Sequence, residues 1–214
     1  IHAGQGIAYH RHTFGGLAQL LQVHQAVGDL AQPVVDGGGG LAEVFVEEGF
    51  EGLGTGELDQ FITDMTQELI NKDALIFDLR YNTGGNVHDE VLKFLSQRTY
   101  LQWKYREGKL TPQSNFSPAD KPIVLLINEQ SLSDAEMTAQ GFKALKLGKI
   151  IGNETYRWII FTSGIGLVDG SSVRMPAWGC YTLDGKDLEM TGVAPDISIL
   201  NSFEDKFTGK DPQL

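Results

Sequence analysis

The sequence predicts an α/β domain built on a mostly parallel sheet with βαβ crossovers. Three observations predict it. Two short runs, Ala74-Leu-Ile-Phe-Asp78 and Ile123-Val-Leu-Leu-Ile127, are almost continuously apolar, the mark of strands buried on both faces. Each is followed by a turn and then by apolar residues at helical spacing: Val87, Val91, Leu92 and Leu95 after the first, Met137, Phe142 and Leu145 after the second. A third short strand, Lys149-Ile-Ile-Gly152, comes next. Strand, helix, strand, helix, strand requires crossover connections between parallel neighbours.

The elements follow in chain order. Residues 1–56 stand apart in composition, with 13 of the 26 glycines, four of the five histidines (His2, His10, His12, His24), Arg11 as the one basic residue and no lysine before Lys72. Leu17, Leu20, Leu21, His24 and Val27 share a helical face, Pro33 would end that helix, and four consecutive glycines from Gly37 to Gly40 make a flexible break. The segment reads either as a poorly anchored arm or as a stretch in the wrong reading frame, and sequencing the coding DNA across codons 1–56 separates the two. From residue 57 on, the chain reads as an ordinary folded domain. Leu58, Phe61, Ile62, Met65 and Leu69 make an amphipathic helix with Thr55 as its cap. Residues 100–105 alternate like a half-buried strand, and 107–121 read as a polar loop containing Pro112 and Pro118. The helix carrying Met137 is expected over 133–145. Short strands are expected near 159–168, 172–177 and 180–183, with Asp184-Gly185 as a hairpin turn.

Composition excludes several functions. Of the 214 residues, 17 are Lys or Arg and 28 are Asp or Glu, giving a net charge of −11. A chain this acidic is a poor partner for nucleic acid or an anionic membrane surface. The single cysteine, Cys180, rules out an internal disulfide framework and a multi-cysteine zinc site, and reads as a buried structural thiol. No run of 18 apolar residues is present, so no transmembrane helix is expected. There is neither a dinucleotide fingerprint nor a P-loop, and no cofactor or metal is expected. Acidic charge and the lack of a leader make cytoplasm the expected location, or periplasm if a leader precedes Ile1.

In open parallel α/β sheets, ligands bind beyond the carboxyl ends of the strands. Two segments occupy that position: Asp78-Leu-Arg-Tyr-Asn-Thr-Gly-Gly85, leaving the first buried strand, and Asn128-Glu-Gln-Ser-Leu-Ser-Asp-Ala-Glu136, leaving the second and opening a helix. A serine at such a turn sits at the positive end of a helix dipole, where free backbone N–H groups can hold a developing oxyanion. Ser133 is the better-placed hydroxyl, and the Asp134 N–H follows it directly. The same spacing also fits two capping boxes, Ser133 with Glu136 and Ser131 with Asp134. Gly84 and Gly85 present backbone unobstructed by Cβ atoms, or form a plain tight turn.

Four elements in order carry a family resemblance. The string from Asp78 to Gly85 resembles the D-x-R-x-N-x-G-G element of the C-terminal-processing and tricorn serine peptidases. Ser131-Leu-Ser-Asp-Ala-Glu136 resembles their nucleophile turn, Lys149-Ile-Ile-Gly-Asn-Glu-Thr155 the strand that follows, and Gly192-Val-Ala-Pro-Asp196 the closing G-V-x-P-D. The resemblance covers about residues 56–200 and makes 57–214 a tricorn-like catalytic subdomain of crotonase/Clp-protease-like fold. It implies that Ser133 is the nucleophile of a serine peptidase acting through an acyl-enzyme, with the Asp134 N–H and that of Gly84 or Gly85 as oxyanion donors. Peptide or unfolded protein is then the substrate, and a homo-oligomer an expected assembly.

The family activates its serine in two ways. The processing peptidases use a downstream lysine, but the matching position here is Trp158, and no lysine lies between Lys149 and Lys186. The tricorn branch uses a serine–histidine pair and a late glutamate. Glu189 matches the glutamate, yet no Ser-His dipeptide occurs in the chain. His10 and His12 are the upstream candidates for a base or a metal, His24 reads as a core or interface residue, and His88 as a surface residue at a helix start. Trp158 and Ile159-Ile-Phe161 read as lining the cleft or the core. The chain is therefore expected to be part of a full enzyme. Two rivals stay open: an inactive peptide-binding domain of the same fold, and an acyl-CoA enzyme of the crotonase class.

Overall fold

The computed structural model describes residues 41–45, 55–69, 72–113 and 116–214. The helix expected over 17–27, its stop at Pro33, the glycine break and the four early histidines lie outside the described residues.

The five strands of the main sheet are all parallel: β1 (Leu41–Phe45), β2 (Ala74–Asp78), β5 (Ile123–Ile127), β6 (Lys149–Gly152) and β9 (Ile197–Ser198), lying side by side in that order. Three helices return the chain between the first four: α1 (Thr55–Leu69), α2 (His88–Leu95) and α3 (Asp134–Ala144). Because each crossover steps to the next strand in the same direction, right-handedness puts all three helices on one face. Burial agrees. Leu75 and Phe77 of β2 and Ile123, Leu125 and Ile127 of β5 join Met65, Val91, Leu95 and Phe142 in one core. The alternate residues Ile76, Val124, Leu126 and Ile151 point to the other face, against Ile197, Ile199 and Leu214. Every residue of β2 and β5 is buried, as the unbroken apolar runs require, and each fully buried Leu, Ile or Phe contributes about 1.5–3 kcal/mol.

Leu41–Phe45 pairs with β2 over all five of its residues, so the sheet extends across the composition change at residue 56. Thr55 is the first residue of α1 rather than a cap preceding it. Two further departures occur in the middle of the chain. The alternating run over 100–105 does not form a half-buried strand. β3 (Leu101–Lys104) pairs only with β4 (Leu110–Gln113) in an antiparallel ribbon whose residues are nearly all exposed, because no described element covers either face. β4 and a 3-10 turn at Pro118–Asp120 fall inside the expected polar loop, and Pro112 is tolerated there because the ribbon has open edges.

The strands expected near 159–177 form a second ribbon, β7 (Ile160–Gly166) with β8 (Ser172–Gly179), whose register shifts between Phe161 and Thr162. The strand expected at 180–183 is absent. Tyr181 makes one bridge to Asp187, and residues 182–186 turn through Asp184-Gly185, with the Gly185 N–H on the Thr182 carbonyl. Two short helices, α4 (Leu188–Thr191) and α5 (Phe203–Thr208), complete the described elements. Among the described residues no helix is long and apolar enough to cross a membrane.

Candidate active site

The carboxyl ends of β2 and β5 lie next to each other, which brings the two expected turns together. They are tied by the Leu132 N–H on the Asn82 carbonyl (3.0 Å) and by the Tyr81 N–H on Asn128 Oδ1 (3.1 Å). The two serines of the second turn separate by role. Ser131 is fully buried; its Oγ donates to the Leu79 carbonyl at 2.8 Å and accepts the Asn128 N–H at 3.1 Å. It is a strut between the strands. Ser133 is half-buried and adopts φ 56°, ψ −113°. An ordinary N-cap serine has extended backbone angles. A non-glycine residue held at positive φ costs about 1–3 kcal/mol and persists only where its surroundings force it, and a strained strand-to-helix turn of this kind lifts a serine hydroxyl clear of the sheet.

Glu136 does the forcing. Its carboxylate is fully buried. Oε2 accepts the N–H of Ser133 (2.9 Å) and of Trp158 (2.9 Å); Oε1 accepts the N–H of Arg157 (2.8 Å) and the hydroxyl of Thr155 (2.7 Å). One carboxylate thus fastens the serine turn to residues 155–158. Thr155 passes the connection on, because its Oγ1 accepts the N–H of Val193 in the closing motif (2.8 Å). At the other end of that motif, the Asp196 carboxylate takes the Ile150 N–H (2.9 Å) while its own N–H reaches the Ile150 carbonyl (2.8 Å). The four motifs are therefore parts of one bonded frame.

The two glycines divide their tasks. Gly84 is buried at φ +115°, and a Cβ there would stand 3.0 Å from Ser133 Cβ, 3.4 Å from Ser133 Oγ and 3.8 Å from the Asp134 nitrogen. Its N–H is engaged by Asn82 Oδ1 at 3.0 Å. Gly84 therefore permits close approach but has no donor to offer. The N–H groups of Gly85 and Asp134 have no partner among the described residues, and both residues line a cleft with Ser133. That open cleft has a volume of about 370 Å³ and is walled by Met137, Ile159, Ile160, Phe161, Thr162 and Arg174. The register shift at Phe161/Thr162 sits in this wall, as β-bulges beside active sites commonly do. Gly84→Ala is expected to slow phosphonylation of Ser133 at least tenfold and to destabilise the domain by about 1–3 kcal/mol, read from the labelling rate of a fluorophosphonate and from thermal melting.

Other expected residues are placed as follows. His88 is not a surface residue. Its Nδ1 lies 2.5 Å from Asp134 Oδ1, while Asp134 Oδ2 accepts the Val87 N–H at 3.2 Å. The Asp134 side chain thereby joins the start of α2 to the start of α3 and fixes the Gly85 turn relative to the serine turn. The Trp158 ring is exposed and 5.9 Å from that of Tyr156; Ile159 is buried, and Ile160 and Phe161 face the cleft. Cys180 is half-buried at the edge of the core. Burial pushes its thiol up, reinforced by the charges of Asp187 and Glu136, so it is not an activated nucleophile. Glu189 lies in α4, its N–H on Asp187 Oδ1 at 3.0 Å, and it is not among the residues lining the Ser133 cleft. Among the described residues no cluster of side chains suits a metal ion.

Comparison with known proteins agrees with this geometry. Residues 45–199 match Peptidase family S41. The tricorn protease of Thermoplasma acidophilum is 34% identical over 143 residues, and tricorn protease homolog 1 of Streptomyces coelicolor 32% over 149, covering 66% and 68% of the chain. The chain spans only 13% and 14% of those proteins' lengths. The crystal structure of the tricorn protease superposes with a TM-score of 0.58 at 26% identity, over 72% of this chain and 18% of that one; the photosystem II D1 C-terminal processing protease gives 0.56 at 25%, over 68% and 40%. These relatives share the crotonase/Clp-protease-like fold, and none supports the acyl-CoA alternative. With its four motifs joined around one strained serine and most of its length matched, the chain belongs to Peptidase family S41.

Proposed function

We propose that this chain carries the acylation centre of a serine peptidase. Ser133 Oγ attacks the carbonyl carbon of a bound peptide bond. The carbonyl oxygen takes up negative charge and is held by the N–H groups of Asp134 and Gly85. The C–N bond then breaks, the amine leaves with a proton, and water hydrolyses the acyl-Ser133 ester. The observation that carries this reading is the strained Ser133 facing two unengaged N–H donors across Gly84. The proton from Oγ needs an acceptor, and we assign that base to a part of the protein outside the described residues, with Glu189 as the group that would orient it. Peptide or unfolded polypeptide is the substrate of this reading; a cytoplasmic location and a homo-oligomeric assembly go with it as expectations.

In the whole protein, Ser133→Ala is expected to abolish covalent labelling by a fluorophosphonate, with the tag of the unaltered protein mapping to Ser133 by peptide mass. Undiminished labelling of the variant sinks the assignment. A second reading, peptide binding without cleavage, is favoured by one observation: no base is hydrogen-bonded to Ser133 Oγ among the described residues. Turnover of casein or short peptide amides by the whole protein decides between the two.

A further inference from the structure

We propose that the cleft selects peptides bearing a carboxylate close to the bond presented to Ser133, and that Arg174 is the group that reads it; this rests on the peptidase reading of the cleft. Arg174 on β8 is the one cation lining the cleft among the described residues, in a protein whose net charge is −11. It forms no ion pair with any described carboxylate. Nor is it neutralised by Asp134 across the cleft, whose buried oxygens are occupied by His88 and Val87.

The guanidinium is nonetheless fixed. Nε and Nη2 both donate to Thr162 Oγ1 on the facing strand, at 3.1 and 2.7 Å. Of the five N–H groups of an arginine, three are left unengaged. Arg174 is exposed, and its two bonds to a hydroxyl that itself lines the cleft restrict its rotamers. The planar fork matches a carboxylate in bidentate geometry, and such preorganisation reduces the ordering needed on binding. The carboxylate can come from a Glu or Asp side chain or from a chain terminus.

The test uses the whole chain carrying Ser133→Ala, so that peptides bind without being cut. Fluorescein-labelled hexapeptides with one Glu moved through each position are compared with the Gln analogues, and C-terminal free acids with amides, by fluorescence anisotropy. At one position the carboxylate is expected to tighten binding about tenfold or more. Adding Arg174→Gln should remove that advantage, and Arg174→Glu should transfer it to the Lys analogue. An advantage confined to free acids assigns the site to a chain terminus; one confined to Glu peptides assigns it to a side chain. Equal binding of acid and neutral peptides, an advantage that survives Arg174→Gln, or no binding of any peptide overturns the proposal. Fluorophosphonate labelling of the unaltered protein is read alongside. Labelling without carboxylate preference sinks this inference alone, and carboxylate preference without labelling sinks the peptidase reading alone.

Discussion

Arg80→Ala is expected to lower the stability of the domain by about 3–5 kcal/mol, a fall in melting temperature on the order of 10 °C. Arg80 is buried. Its Nε and Nη2 grip both oxygens of the buried Asp78 at 2.6–3.0 Å, and Nη1 reaches both oxygens of Asp211 at 2.7 and 2.8 Å. Burial works against its charge, but Asp78 and then Asp211 outweigh it and hold the guanidinium above its ordinary pKa. Deleting the arginine leaves Asp78 as an uncompensated charge in the sheet, which is why the loss greatly exceeds that of a surface pair. The double variant Asp78→Asn, Arg80→Met should recover much of it in the same melting experiment. Asp211 adds an acid sensitivity. Burial raises its carboxyl, yet Arg80 and Asn201 prevail and hold it below the ordinary carboxylate value. A depressed carboxyl contributes stability that is present above its unfolded pKa and is lost as pH falls through that value toward the folded one. Asp211→Asn should therefore flatten the acid limb of a stability–pH curve measured downward from about pH 5.

Glu136→Ala is expected to reduce the rate of Ser133 acylation at least a hundredfold and stability by about 3 kcal/mol. Four donors lose their acceptor at once: the Ser133, Arg157 and Trp158 N–H groups and the Thr155 hydroxyl. The unusual backbone angles of Ser133 then lose the carboxylate that enforces them, with the Leu132 N–H on Asn82 remaining as the tie to the glycine turn, and the serine turn can relax toward an ordinary cap. Glu136→Gln separates this role from simple packing, since it keeps the volume. Whichever way the amide faces, its NH2 meets at least one backbone N–H that had been bonded to oxygen. The glutamine variant is expected to stay folded, with a melting point near that of the parent, while acylation slows severalfold or more. A glutamine variant labelled at the parental rate would show that Glu136 serves stability only.

What the sequence discloses is governed by how far apart the interacting residues are. The buried runs at 74–78 and 123–127 were legible because burial on both faces leaves its mark on consecutive residues. The position of Ser133 and the Asp134 N–H at one turn was legible because a strand, a turn and a helix in succession place them; the choice of nucleophile over helix cap came from the family resemblance. The spacing of Ser133 and Glu136 disclosed one of the carboxylate's four bonds; the others come from residues 19 to 22 positions away. His88 was misplaced at the surface because its partner Asp134 lies 46 residues on. The alternation of Leu101, Trp103 and Tyr105 marks a face able to be covered, and no local signal says whether another element arrives to cover it. That Gly85 and not Gly84 keeps its donor depends on which N–H the Asn82 side chain takes, which two adjacent glycines cannot reveal.

The clamp at Arg80 has a consequence for where this protein can be trimmed. Family likeness stops at residue 199, and a cut there would seem harmless. It would remove Asp211 together with Gln213, which bonds both Arg80 Nη1 (3.1 Å) and the Ile199 carbonyl (2.6 Å), and Leu214, which packs against Ile76, Val124, Leu126 and Ile151 on one face of the sheet. Residues 200–214 act as a latch at the carboxyl end of the strand leading into the glycine turn, so a chain cut after residue 199 would bare apolar surface and leave half-paired charge beneath that turn.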